Sequence, residues 1–298
     1  MRVFVTGATG FIGSAVVREL IDAGHDVVGL ARSDQAAASL AAAGAEPHRG
    51  ALADLDSLRR GAAAADGVIH LAFIHDFADL AASGPTDLRA VEAIGDVLDG
   101  SGKPFVVTSG SLMVAAGRRV TEEDAPEPGS PGAHRIPAEN AAIALAERGV
   151  RASVVRLPPS VHGQGDHGFV PALIGFARDK GVSAFVGDGA NRWPAVHRLD
   201  AAHLFRLALE AAPAGARLHG VADEGVPFRD VAGVIGRHLN LPVVGVPREE
   251  AAAHLGWLAA FASFDGPASS ALTQKELGWH PTRTGLIADL DEGHYFND

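Results

Sequence analysis

The sequence predicts an α/β protein: a doubly wound parallel sheet with a smaller C-terminal lobe. Three observations carry that expectation. Short valine-rich runs, apolar on both faces, alternate with longer helical stretches through the first half. A glycine triplet opens the first of those helices, and less regular, turn-rich sequence fills the second half. Alternating strand and helix implies parallel strands covered by helices on both sides.

The runs at 3–5, 27–30, 68–71, 105–107 and 153–157 read as buried strands. Between the first two, Ile12, Val16, Leu20 and Ile21 share one helical face, and Gly24 supplies the stop. Helices are expected over 36–44, 86–98 and 137–148, with a returning helix over 199–210. Loop signals crowd 158–168 and 187–194, which predicts irregular segments there. A strand near 218–222, a helix over Phe228–Leu239 and a strand at Val243–Val246 point to the smaller lobe.

Composition narrows the function. The 298 residues, 47% hydrophobic and 20% charged, suit a soluble globule with a sizeable core. A net charge of −11 with no basic stretch argues against a nucleic-acid or anionic-membrane surface. The absence of cysteine excludes disulfides, thiolate catalysis and thiolate-bound zinc. Val3-Phe4-Val5 is too short for a signal-peptide core, and no run approaches the roughly 20 apolar residues of a membrane span. A cytoplasmic setting is expected.

The strongest motif is Thr6-Gly7-Ala8-Thr9-Gly10-Phe11-Ile12-Gly13, between a strand and an amphipathic helix. The glycines permit a tight turn, close approach of backbone to a pyrophosphate, and close helix–strand packing. The helix start then offers free N–H groups and a positive dipole end to phosphates. Alone, three glycines often mark an ordinary turn; the strand before and helix after make a dinucleotide site the better reading. The fold expected is therefore of the Rossmann type.

Such a fold shows its preference at the ribose 2′ position at the end of the second strand, where a carboxylate would bond the diol. Here the sequence is Leu30-Ala31-Arg32-Ser33-Asp34. Arg32 can pair bidentately with a 2′-phosphate and Ser33 can donate to it. NADP(H) is expected in preference to NAD(H), against the alternative of a solvated arginine at a strand exit. Residues 1–160, completed by about 192–222, then form the NADP(H)-binding Rossmann domain, and 161–191 with 223–298 the smaller substrate-binding lobe.

Together these motifs resemble the extended short-chain dehydrogenases/reductases, the superfamily of nucleotide-sugar epimerases, dehydratases and dihydroflavonol-type reductases. Residues 6–13 match its cofactor loop, with Gly7, Thr9, Gly10, Phe11, Ile12 and Gly13 on the pyrophosphate. Ala51-Leu52 falls where the family sets an Asp and an aliphatic residue on the adenine; the Asp is absent and Leu52 remains. His70-Leu71-Ala72-Phe73 matches the segment whose backbone lines the cofactor. Residues 156–163 resemble the family's Arg-Pro-x-x-Val-Tyr-Gly motif beside the nicotinamide, which implies contacts from Pro158 and Val161. Val196-His197-Arg198-Leu199-Asp200-Ala201-Ala202 resembles the segment before a returning helix. The resemblance also implies a monomer or a homodimer paired through helices 86–98 and 137–148.

The departure concerns chemistry. The family uses Tyr-x-x-x-Lys on one helix, and the only tyrosine here is Tyr295. Lys103, Lys180 and Lys275 all lie in other registers. Counting back from Glu139 and Arg156 puts Pro131 at the tyrosine position and Arg135 at the lysine position, as in an atypical branch where basic residues replace the pair. Arg135 can hold ribose hydroxyls but is a poor proton donor; His134 titrates near neutrality and can serve as acid or base. The competing reading is that both merely cap the following helix. Thr108-Ser109-Gly110-Ser111 occupies the region of the family's catalytic Ser/Thr. Gly110 aligns there, leaving Ser109 or Ser111 to substitute and Thr108 beside the cofactor.

Fourteen histidines invite a metal reading, yet none shows ligand spacing on a helix, and no metal is expected. His75 and His162 follow strand ends and are expected to line the substrate cleft, with a folded cluster of His75, His162 and His167 as the alternative. His197 reads as structural. The leading function is an oxidoreductase moving hydride between NADP(H) and a small carbonyl or alcohol. An epimerase or dehydratase that recycles its cofactor, and a non-catalytic NADP(H) sensor, are the alternatives.

Overall fold

Val3 and Val5 join the core on one side of the first strand, Phe4 that on the other, and all three are completely buried. A strand covered on both faces belongs inside a parallel sheet sandwiched by helices. The computed structural model describes residues 1–75, 80–114 and 116–297, and the side chains of all of these except 80–82. In chain order it runs β1 (Arg2–Thr6), α1 (Phe11–Asp22), β2 (Asp26–Ala31), α2 (Asp34–Ala42), β3 (Glu46–Arg49) and α3 (Leu55–Ala63). Next come β4 (Gly67–His70), α4 (Leu80–Leu98), β5 (Pro104–Gly110), α5 (Ile136–Ala144) and β6 (Arg151–Leu157). The second half adds β7 (Ser160–His162), α6 (Phe169–Lys180), β8 (Ser183–Val186), β9 (Arg192–His197) and α7 (Arg198–Ala211). It ends with β10 (Ala216–His219), β11 (Asp223–Pro227), α8 (Phe228–Leu239), β12 (Val243–Val246), α9 (Ala251–Leu255), α10 (Ala259–Ala262), α11 (Ala271–Leu277) and α12 (Leu286–Asp291).

The main sheet is parallel throughout, in the order β10-β6-β5-β4-β1-β2-β3. On one face Val3, Val5, Ile69 and Val106 pack against Val16 and Leu20 of α1 and Phe205 and Leu209 of α7. On the other, Phe4, Val68, Phe105 and Val107 meet Leu58 of α3, Val91 and Ile94 of α4, and Ala142 of α5. Each such side chain contributes on the order of 1.5–3 kcal/mol relative to exposure. The chain leaves β3 and returns to β4 on the far side of β1, so the strand order reverses between β1 and β4. Ligands of open α/β sheets bind at that place, outside the carboxyl ends of the strands.

Two smaller sheets, β11-β9-β7 and β12-β8, share a separate core around Trp193, Phe228, Ile174 and Leu258. The Trp193 indole N–H donates to the Phe261 carbonyl at 3.0 Å, which ties α10 to β9. The strand expected near 218–222 starts earlier, as β10, and pairs with β6 in the main sheet instead of the lobe. The segments expected to be irregular contain β7 and the start of β9. Three residues between Pro159 and Gly163 are too few to display a period of two, so β7 left no signal. Among the described residues, no helix is long and apolar enough to cross a membrane.

A buried ion pair fastens α5 to the sheet. Arg156 and Glu139 are both fully buried, joined by Nη2 to Oε1 at 2.5 Å and Nε to Oε2 at 3.1 Å. Arg156 also donates to the Asp124 carbonyl at 3.0 Å, and Arg217 to Glu139 at 3.1 Å. Burial alone would raise the Glu139 pKa, but hydrogen bonding and charge from Arg156 hold it below its ordinary 4.5. The stabilisation is therefore complete above pH 4.5 and is lost as pH falls beneath it toward the folded value. Glu139→Ala, leaving Arg156 buried and uncompensated, is expected to cost about 3–5 kcal/mol in urea unfolding. A loss below about 1 kcal/mol would show that the pair is not what fastens α5.

Candidate active site

The glycine turn after β1 is packed backbone to backbone. Gly7 has φ +66°, and a Cβ there would meet the Ala72 nitrogen at 2.7 Å and the Leu71 carbonyl carbon at 2.8 Å. A Cβ on Gly13 would lie 2.0 Å from the Gly7 oxygen, so α1 presses directly on the turn. Gly10 differs: its Cβ would meet only the Gly7 oxygen, at 3.2 Å, and otherwise faces open space. Gly10 is also the N-cap of α1 with no side-chain cap, so the first amides, those of Phe11, Ile12 and Gly13, have no capping acceptor. Thr9 is exposed beside them. Uncapped amides, a dipole end and an open glycine face fit a pyrophosphate.

At the β2 exit Arg32 is exposed and makes no ion pair with the described residues. The Ser33 hydroxyl caps α2, accepting from the Ala36 amide at 3.1 Å, which leaves its O–H free to donate. Asp34 forms an ion pair with Arg49, which stands opposite Ala31 in the β2–β3 register. Arg49 is therefore a second cation at this exit that the sequence reading missed, because β3 itself was not expected. Leu52, half-buried, packs against the core under this corner.

Between β4 and β5 lies the edge predicted to be reactive. The Arg135 guanidinium sits 3.6 Å over the Phe73 ring, donates to the Thr108 carbonyl at 3.3 Å, and faces Asp87 of α4 at 3.7 Å. Burial lowers its pKa and Asp87 opposes that, but a guanidinium keeps its charge at neutral pH. Residues Ala133–Arg135 form a single 3₁₀ turn. Neither side chain caps α5, which has no side-chain cap. The His134 ring lies 5.7 Å from that of Phe73. Burial, then Arg135, push its pKa below 6.5.

The two serines differ. Ser109 donates to the Met113 sulfur at 2.9 Å, while the Ser111 hydroxyl is buried without a partner, in a 3₁₀ turn packed against that of His134. Thr108 donates to the His70 carbonyl at 2.8 Å, holding β5 to β4.

The histidines separate in the fold. His75 is stacked edge-on to Phe73, and burial, Arg135 and His167 lower its pKa to about 4. His167 lies edge-on to Phe11, with Arg198 5.0 Å over the same ring. His162 does not line a cleft: it is completely buried, with Nδ1 2.8 Å from Asp289. The folded cluster of His75, His162 and His167 is therefore not formed. His197 accepts from the Leu199 amide at 3.2 Å as the N-cap of α7, a structural task. Pro158 is buried, and Val161 packs on the core beneath α1 and α7. Tyr295 accepts from the Gly163 amide at 3.0 Å and donates to Asp166 at 3.1 Å, in the loop leading to His167.

Also missed were His70 and Asp87, both buried. A carboxylate on the apolar stripe of a predicted helix was the available signal for Asp87.

Residues 3–219 match the pattern of the NAD dependent epimerase/dehydratase family. An uncharacterised protein of Schizosaccharomyces pombe is 51% identical over 99% of this chain and all of its own. A 2-alkyl-3-oxoalkanoate reductase of Stenotrophomonas maltophilia is 30% identical over 85% of this chain and 78% of its own. Among solved structures, a dTDP-glucose 4,6-dehydratase from Streptomyces venezuelae with NAD bound superposes at TM-score 0.79. That match covers 99% of this chain and 96% of the other at 22% identity, a likeness of fold. With its parallel sheet, its glycine turn at the switch point and a matched span covering most of its length, the chain belongs to the NAD-dependent epimerase/dehydratase family.

Proposed function

We propose that this protein is an NADP(H)-dependent oxidoreductase acting on a small carbonyl or alcohol, with Arg135 and His134 in place of the family's Tyr-x-x-x-Lys. The observation that carries the reading is the Arg135 guanidinium seated over Phe73, with the His134 ring beside the same phenyl group. The reductase name of the Stenotrophomonas relative favours the same reaction class. Residues 161–191 and 223–298, joined by β9 through the core around Trp193, form the substrate lobe, and the protein works as a monomer or homodimer in the cytoplasm, in keeping with its cysteine-free, acidic sequence.

The bound cofactor supplies or accepts the hydride. The amides of Phe11, Ile12 and Gly13 hold its pyrophosphate, and Arg32 with Ser33 hold the 2′-phosphate. Arg135 holds the ribose hydroxyls and stabilises negative charge on the substrate oxygen. Protonated His134 gives that oxygen its proton in reduction and takes it back in oxidation. Ser111, whose hydroxyl is uncommitted, bonds the reacting oxygen in preference to Ser109.

NADPH is expected to bind more tightly than NADH by roughly 10- to 100-fold, the worth of one charge-assisted phosphate contact, and Arg32→Ala to erase the difference. Fluorescence titration of both cofactors checks this; equal wild-type affinities would end the assignment. Gly10→Val should abolish NADPH binding with an unchanged circular dichroism spectrum, since its Cβ would enter the open face of the turn. Once a substrate is found, His134→Ala should slow turnover by about 10²–10⁴-fold. Because the donor must carry its proton, wild-type reduction should decline as pH rises through a value below 6.5, and the variant should lack that inflection. NADPH binding without turnover across a broad carbonyl panel would instead indicate a sensor, and turnover without net NADPH consumption an epimerase or dehydratase.

A further inference from the structure

Helix α4 buries a carboxylate among alkyl groups. Asp87 shares the sheet-facing stripe of Ala90, Val91, Ile94 and Leu98 and is 1% exposed. A carboxylate in that setting costs several kcal/mol unless it is paired. Its Oδ1 lies 3.0 Å from His70 Nε2; its Oδ2 is buried with no hydrogen-bond partner and faces Arg135 Nη1 at 3.7 Å.

The protons in this chain can be assigned. Thr6 Oγ1 accepts from the amides of Leu71 and Ala72, each at 3.2 Å, the Leu71 hydrogen being shared with the Thr6 carbonyl at 3.3 Å, so both lone pairs of the hydroxyl face donors. Its own O–H must then donate to His70 Nδ1, at 2.8 Å. A neutral His70 that accepts at Nδ1 carries its proton on Nε2 and donates it to Asp87. That donation orients the carboxylate so that its other oxygen faces the guanidinium. Backbone contact fixes the spacing from the same helix, for a Cβ on Gly84 would lie 2.6 Å from the His134 carbonyl oxygen.

We propose that Asp87, oriented by His70, is the positioning residue that holds Arg135 over Phe73, and that Thr6 ties this relay to the glycine turn. The inference rests on the reading above, in which Arg135 holds the ribose on the nicotinamide side of the cofactor.

The test uses two probes: NADPH, and adenosine 2′,5′-bisphosphate, which lacks the nicotinamide half. Both are titrated against the full chain as wild type, Asp87→Asn, Arg135→Gln and the double variant. Either single change is expected to weaken NADPH roughly tenfold or more, with the double no worse than the singles, while the bisphosphate binds all four alike. If Asp87→Asn binds NADPH as wild type does while Arg135→Gln does not, Asp87 does not position Arg135 and the proposal falls. Equal loss of both probes in Asp87→Asn marks a general structural defect and also overturns it. Wild-type NADPH binding by Arg135→Gln removes the underlying role of Arg135 instead, a separate failure. Should Asp87→Asn not fold, His70→Gln decides: selective NADPH loss supports the relay, and unaltered NADPH binding defeats it.

Discussion

Two amides at the exit of β4, those of Leu71 and Ala72, converge on one hydroxyl oxygen, that of Thr6. Where strand order reverses, neighbouring strands part: the Leu71 amide still reaches the Thr6 carbonyl at 3.3 Å, the Ala72 amide has the Thr6 hydroxyl instead, and an unpaired buried amide is costly. Thr6 meets that need and so fixes the gap between β1 and β4. Gly7 can then lie against Ala72 with no room for a side chain, and Gly13 against Gly7. The open face at Gly10, the free start of α1 and the placement of Phe73 all depend on this closure. A methyl in place of the hydroxyl would leave the Ala72 amide and His70 Nδ1 unsatisfied together, and the Leu71 amide with only the Thr6 carbonyl at 3.3 Å.

In the proposed reaction, arginine and histidine divide between them the task of the family's Tyr–Lys couple. A lysine can hold ribose and also depress a neighbouring phenol because its own charge is compact and its pKa movable. A guanidinium offers a fixed charge and a planar face, which suits the Phe73 ring, and it cannot exchange a proton at neutral pH. Proton transfer is therefore assigned in the proposal to a different side chain, His134, which adjoins Arg135 in the sequence. Burial, and then the same proximity, make the His134 cation harder to form, so the proposed donor would be a stronger acid with a smaller protonated population.

The alternating half of the chain was legible because both faces of its strands are buried: β1, β2, β4, β5 and β6 appear as continuous apolar runs. Edge strand β3, Glu46-Pro47-His48-Arg49, has no such pattern, and with it Arg49 went unseen. The glycine turn and Arg32 could be placed because local spacing alone defines them. The relay through Thr6, His70 and Asp87 joins three separate elements across 64 and 17 residues of sequence, contacts that only the folded sheet creates. His162 was misread for a related reason: a histidine after a strand end resembles a cleft residue until α12 brings Asp289 onto it.

Tyr295 gives the molecule a spectroscopic address. It is the only tyrosine in the chain, and its phenol joins the C-terminal segment to the loop between Gly163 and Asp166. Burial and the Asp166 carboxylate both push its ionisation upward. Its ultraviolet difference band is therefore expected above the ordinary value of 10.0 while this contact holds, and nearer that value once it is broken. Because Asp166 immediately precedes His167, and His167 lies edge-on to Phe11 at the start of α1, that chromophore is also expected to register disturbances reaching the uncapped end of the helix.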